Sequence, residues 1–328
     1  MHVTTDTVTP VEIEQMFNDI IRIFLPYRRS DSDHEHEGTA LYSCFAPQYS
    51  QLLPFIAERA PVLFTLPAFP CKSPNEQKVL GHLPDMGERA SLCFLQRVCQ
   101  KIEEVYPPGA RILICSDGHV FGDLIRVPDE HITDYAKALR EMAVEEGASS
   151  LDFFSLEDVS GSQAFDEKRS RLSAEFAEPI AFLREQVRHD DKALALYRGI
   201  TRFLVEDAGS THEGTKSALL RDCRQRAYGV VQRSRAWSNL IAGYYPRSVR
   251  LSIHPQPCGS AKFGIALLES TDNWVTPWHS VAVHQPDGML TLMKRSEAEK
   301  IGRVVFLNGV PSHFIVSEQD AWQHHDGR

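Results

Sequence analysis

The sequence predicts an α/β fold: a Rossmann-like parallel sheet core with a helical insertion and a C-terminal β-rich part. Three observations carry this. Short runs at residues 61–66, 112–115 and 151–156 read as strands, the first buried and the second buried on both faces. Helical stretches separate them, so strand, helix, strand, helix and strand follow one another as a βαβαβ unit. From about residue 162 to 244 the pattern is helical, and after Val249 strands return. The 328 residues divide accordingly into a Rossmann-like part (1–160), a helical part (161–245) and C-terminal strands that complete the site (246–328).

The elements follow in order. Apolar residues at 13, 16, 17, 20, 21 and 24 make a helical stripe that ends before Pro26. A charged stretch, residues 28–38, contains Asp33-His34-Glu35-His36-Glu37, which reads as a solvated loop before it reads as a metal site. Residues 47–59 form a second helix. The strand at 61–66 then runs into a proline-stiffened loop carrying Lys72, Ser73 and Asn75, a cradle for an anionic group or simply a rigid connection. A helix runs from about Glu88 to Val105. The next strand stops at Ser116-Asp117-Gly118. A carboxylate beside a glycine past a buried strand stands where open α/β sheets place ligands, although the same tripeptide also serves as a plain chain reversal. A further helix starts at Pro128 and stops near Gly147.

In the helical part, candidates lie at 163–176, 179–189, 191–206 and 213–243. The last is rich in arginine, including Arg233, suited either to solvent or to an anion. Val249 to His254 alternates, putting Arg250, Ser252 and His254 on one face of a half-buried strand. That trio can bind a carboxylate and move protons. Lys262 opens another strand, and residues 276–293, which include His279, form a hairpin around Pro286-Asp287-Gly288.

Composition bounds the function. With 42% hydrophobic and 24% charged residues the chain has a globular protein's core. A net charge of −9 argues against a nucleic-acid or anionic-membrane binder. No apolar run approaches the roughly 20 residues of a spanning helix, and residues 1–10 lack the features of a secretory signal. Seven cysteines without a Cys-x-x-Cys pair point to reduced, mostly buried thiols and a cytoplasmic protein, with no zinc or iron–sulfur site. Gly-x-Gly-x-x-Gly, Gly-x-Ser-x-Gly, His-Glu-x-x-His and Walker patterns are all missing. What remains suits acid/base chemistry on a small anionic substrate.

Five stretches carry a more specific signal: Phe69-Pro70-Cys71-Lys72-Ser73-Pro74-Asn75, Leu83-Pro84-Asp85-Met86-Gly87-Glu88, Ser116-Asp117-Gly118-His119-Val120-Phe121, Arg250-Leu251-Ser252-Ile253-His254-Pro255 and Thr276-Pro277-Trp278-His279. In this order, over roughly residues 11–310, they resemble the pyoverdine/dityrosine biosynthesis family. Its bacterial members are isonitrile (isocyanide) synthases of secondary metabolism, including the tyrosine enzyme of the paerucumarin pathway. The family often has Arg after Ser-Asp-Gly, where this chain has His119. The resemblance implies joining the amino group of L-tyrosine or L-tryptophan to C2 of ribulose 5-phosphate. Fragmentation of the sugar then leaves that carbon as the isonitrile. It implies no redox cofactor and no metal, and it admits a downstream oxygenase of the same pathway as a partner.

Imine formation needs a base and an acid, and two substrate anions need cations. The expected proton-transfer residues are His254 and Asp117, then Glu88 and His279. The expected substrate-binding residues are Lys72, Ser73, Asn75, Ser116, Arg233, Arg250, Ser252 and Lys262, with Lys72 also a candidate for a Schiff base. The competing expectations are another Rossmann-like enzyme using a nucleotide cofactor and a non-catalytic protein that binds an amino acid or sugar phosphate.

Overall fold

A computed structural model describes residues 9–30, 41–159, 163–209, 211–270 and 275–316. The histidine–carboxylate run at 33–37 and the C-terminal tail lie outside these residues.

The chain opens with helix α1 (Pro10–Phe24), started by a Thr9–Glu12 capping box with Pro10 in its first turn. The short α2 (Leu41–Cys44) and α3 (Ala46–Glu58) follow. Strand β1 (Val62–Leu66) leads through a long loop to α4 (Met86–Val105), which feeds β2 (Ala110–Cys115). Helix α5 (Gly118–Ile125) starts directly at the tip of β2, where the sequence suggested only a turn. Its eight residues hold too short an apolar pattern to stand out. Helix α6 (Asp129–Glu145) then delivers β3 (Leu151–Phe154). The helical part comprises α7 (Phe165–Phe176), α8 (Ile180–His189), α9 (Asp191–Ala208) and the 29-residue α10 (Lys216–Tyr244).

Strands β4 (Val249–Ser252) and β5 (Lys262–Gly264) return to the first sheet, giving five parallel strands in the order β3-β2-β1-β4-β5. β4 pairs with β1 on one side and β5 on the other, with Val249 and Leu251 buried and Arg250 less so, but it stops at Ser252, so His254 lies in the following loop rather than on the strand. A second sheet, β6-β8-β7-β10-β9, contains β6 (Glu269–Ser270), β7 (Val281–His284), β8 (Leu290–Met293), β9 (Arg303–Leu307) and β10 (Val310–Ile315). Helix α11 (Arg295–Ile301) sits between β8 and β9. The β7–β8 pair is the expected hairpin.

Helices α1, α3, α4 and α6 join the sheet in the main core, with Phe17, Ile56, Leu95 and Ile114 fully buried. The opposite face is closed by α5, α7 and α10, through Val120, Leu172, Trp237 and Leu240. Each such side chain, removed from water, contributes on the order of 1.5–3 kcal/mol. Cys44 and Cys258 lie side by side, with Cα atoms 4.8 Å apart. Cys71, Cys99, Cys115 and Cys223 are buried and free as expected, while Cys93 is half-buried. No helix among the described residues is long and apolar enough to cross a membrane.

Candidate active site

Five parallel strands gather their C-terminal ends at one edge, and the order 3-2-1-4-5 reverses between β1 and β4. Open α/β sheets hold ligands in the crevice at such a reversal. The loops after β1, β2 and β4 meet there.

The loop after β1 is docked onto the start of α5. Phe69 takes a left-handed backbone conformation (φ 56°), and its carbonyl accepts a 2.8 Å hydrogen bond from the Ser116 hydroxyl. The Pro70 carbonyl presses against Gly118 so closely that an added Cβ would lie 2.0 Å from its oxygen. Ser116 and Gly118 therefore join the two loops, and Ser116 has given its hydroxyl proton to that contact. Asp117, between them, behaves differently. It stands at the N-cap of α5, yet its carboxylate caps nothing. No cation pairs with it among the described residues. Withdrawal from water pushes its pKa up to about 7, against a hydrogen bond from its own backbone. A half-buried carboxylate in that condition exchanges protons near neutral pH.

Lys72 is fully buried, and its ammonium group donates to Asp85 (2.8 Å) and the Pro277 carbonyl (2.9 Å) while pairing with Glu88 (2.8 Å). All three N–H donors are taken. Burial draws its pKa down, but Asp85 and Glu88 outweigh that and hold it above the ordinary value. In this structure the Lys72 ammonium is engaged with these three partners and faces no open space for an anion or a carbonyl. Glu88 likewise faces inward: it accepts from Tyr135 (3.1 Å) and from the Asp85 N–H (3.0 Å) in the capping box of α4. Asp85 carries a pKa raised to about 7, burial outweighing Lys72. The group forms a buried foundation under the crevice.

Ser73 and Asn75 are also committed. The Ser73 hydroxyl donates to Asp207 (2.9 Å), and the Asn75 amide donates to the Glu206 carbonyl (2.9 Å). Lys78 completes the clasp, 2.6 Å from Asp207 and 3.1 Å from Glu206. The loop after β1 is thereby tied to the last turn of α9. Like-signed charge sits badly at a helix C-terminus, so Glu206 and Asp207 owe their place to Lys78 and, at Glu206, to Lys294 as well. Burial nevertheless raises the Asp207 pKa against the pull of Lys78.

On the far side of the reversal, Arg250 and Lys262 lie opposite each other in register on β4 and β5. Arg250 donates to the Ser238 hydroxyl (2.6 Å), a neutral partner. Neither cation is paired with a carboxylate among the described residues. Burial lowers both pKa values, and the Arg250 charge lowers that of Lys262 further. Two uncompensated cations in a chain of net charge −9 are chemically suited to an anion. Ser252 accepts from the His254 N–H (3.1 Å) and so shapes the loop. The His254 ring can be reached by solvent yet is crowded by protein. Desolvation, then Arg29 and Lys262, push its pKa down to about 4, so it is neutral at pH 7. His279 shares a 3.0 Å hydrogen bond with Thr276. Desolvation, then Lys78, Lys72 and His254, hold its pKa well below the ordinary value.

These mutual effects show which expected residues the fold brings together. His254, His279, Arg250 and Lys262 are gathered around the β4 end, and Asp117 stands at the β2 end. Arg233 is not among them. It forks onto Asp123 and donates to the Val120 carbonyl (3.1 Å), bracing α5 from outside. Sequence reasoning missed Lys78, Asp207, Tyr135 and Arg29. Only Lys78, a charge set directly before Val79 and Leu80, left a local signal.

The model of the pyoverdine/dityrosine biosynthesis protein family matches residues 53–305. An L-tyrosine isonitrile synthase of Pseudomonas aeruginosa is 46% identical over 304 residues, covering 90% of this chain and 92% of that protein. An L-tryptophan isonitrile synthase of Fischerella ambigua is 42% identical over 321 residues, covering 96% of each. The crystal structure of the PvcA protein from Pseudomonas aeruginosa superposes with a TM-score of 0.85 at 45% identity, over 92% of this chain and 99% of that one.

Proposed function

The chain belongs to the pyoverdine/dityrosine biosynthesis family, and from that premise we propose that it is an isonitrile synthase acting on an aromatic L-amino acid. Tyrosine is favoured ahead of tryptophan, with the isonitrile carbon drawn from C2 of ribulose 5-phosphate. The observation that carries this reading is the division of labour across the sheet edge. An unpaired carboxylate that titrates near neutrality stands after β2, and uncompensated cations stand on β4 and β5. β2 and β4 are two strand spacings, about 10 Å, apart. A phosphate held by Arg250 and Lys262 leaves the ketose carbonyl pointing toward Asp117.

In this mechanism Asp117 takes a proton from the substrate ammonium, and the free amine attacks C2. The carbinolamine expels water to give the imine, with the proton for that water supplied from the same carboxyl group. Freeing C2 takes cleavage of both C1–C2 and C2–C3. His254, neutral at pH 7, accepts a hydroxyl proton as C1 leaves as formaldehyde, while His279 stands behind it. The other three carbons leave as hydroxyacetone with expulsion of phosphate, which balances atoms and electrons without an external oxidant. Lys72, Ser73, Asn75, Ser116, Ser252 and Glu88 hold the loops. The reaction belongs in the cytoplasm, where sugar phosphates are made, and an oxygenase is the natural next consumer of the product.

The test is mass spectrometry after incubation with ribulose 5-phosphate carrying carbon-13 at C2, with tyrosine and tryptophan in separate reactions. The product gains one labelled carbon and loses two hydrogens. Both amino acids returning unchanged would end the synthase reading. Arg250→Met is expected to raise the KM for the sugar phosphate about 10- to 100-fold, the worth of a charge-assisted hydrogen bond. The KM for the amino acid should move little, and steady-state kinetics with each substrate varied separates the two.

A further inference from the structure

The charged groups around the crevice explain how anions and protons are handled, but not how an aromatic side chain is recognised. Phe203 answers to that need. It lies on α9, one helical turn before Asp207 and on the same face. Its ring is half-buried, meets the His279 ring edge-on at 4.7 Å, and has the Lys78 ammonium 5.3 Å from its centroid. The neighbouring pair Phe69 and Trp278 is fully enclosed and belongs to the core. Among the described residues, Phe203 is thus the aromatic ring that touches a candidate proton-transfer group while keeping part of its surface open.

Resting on the synthase reading, we infer that Phe203 forms the wall against which the aromatic side chain of the amino acid lies. The contacts of Lys78, Ser73 and Asn75 with the end of α9 act as the clasp that sets this wall. Stacking against a fixed ring suits either a phenol or an indole, because each presents a flat π-face. The same wall excludes aliphatic amino acids only by lost contact, so discrimination against leucine rests on the ring itself.

Two variants test this in the full chain. Phe203→Leu removes the ring, and Phe203→Met removes it while keeping an unbranched side chain that fills gaps readily. Each is expected to raise the Kd and KM for tyrosine about tenfold. The KM for ribulose 5-phosphate and the thermal midpoint should stay where they were. A tyrosine Kd unchanged in both variants would overturn the inference. So would a parallel rise in both KM values together with a fall in the midpoint, which marks a packing role. Binding is read by calorimetry without turnover. A protein that binds tyrosine but makes no isonitrile would therefore sink the synthase reading while still deciding the role of Phe203.

Discussion

Asp117→Asn is expected to abolish most turnover and, at the same time, to make the protein more stable above pH 7. The side chain sits half-buried at the tip of β2 with no cation beside it among the described residues, and its pKa is raised to about 7. A positioned acid/base group contributes about 10²–10⁴-fold, so kcat should fall by that order. The parental rate should rise with pH up to about 7 as the carboxylate forms, and the variant should lose that limb. The stability change has the opposite sign. The folded pKa lies above the unfolded value of roughly 3.9, so between those values the folded state binds more protons. Stability therefore falls as pH rises through this window and stays lower above it. Asparagine carries no such penalty. Thermal midpoints at pH 8 should favour the variant, and the gap should close toward pH 4. A midpoint that drops at pH 8 would mean that Asp117 is a structural cap after all.

Lys72→Met is expected to be the most damaging single change to folding. It would leave Asp85 and Glu88 facing each other with no cation in a buried site. Breaking a buried ion pair from one side costs about 3–5 kcal/mol, a large share of a domain's typical 5–15 kcal/mol. With the ammonium gone, the largest offset is lost to the burial that already raises the Asp85 pKa. The loss should be greatest above neutrality and shrink as pH falls and protons are taken up. Urea midpoints at pH 5 and pH 8 measure this. Adding Asp85→Asn and Glu88→Gln should recover much of the stability, since the amides carry no charge. Equal midpoints for Lys72→Met and the parent would show that the buried network holds nothing together.

The parallel sheet was legible because its strands are continuous apolar runs, and buried strands require that. Asp117 was legible for the same reason, as the first carboxylate after such a run. What escaped was pairing at long range. Lys72 looked like a free cation because its partners, Asp85, Glu88 and Pro277, come from two other segments. Asp207 lies 134 residues from Ser73 and carries no local mark of their contact. Arg233 has the composition of an anion binder, but α5, the helix whose residue Asp123 neutralises it, was itself unseen. The joining of β4 to β1 depends on a connection through the whole helical part, which periodicity cannot convey.

Helix α10 has a consequence for substrate length. Within three turns it faces Leu124 of α5 at Gly229, braces α5 through Arg233, donates from the Trp237 indole to the Cys115 carbonyl (3.4 Å) and receives Arg250 at Ser238. One stiff rod thus bears on both the proposed base and the proposed phosphate grip, and works as a ruler between them. Under the proposed reaction it measures the span from phosphorus to ketone carbon. A ketose phosphate with one carbon fewer between the two would miss the base by more than 1 Å, an error that can cost about 10²-fold in rate. Turnover of ketose phosphates of graded length reads the ruler directly, and equal rates would show that the interval is elastic.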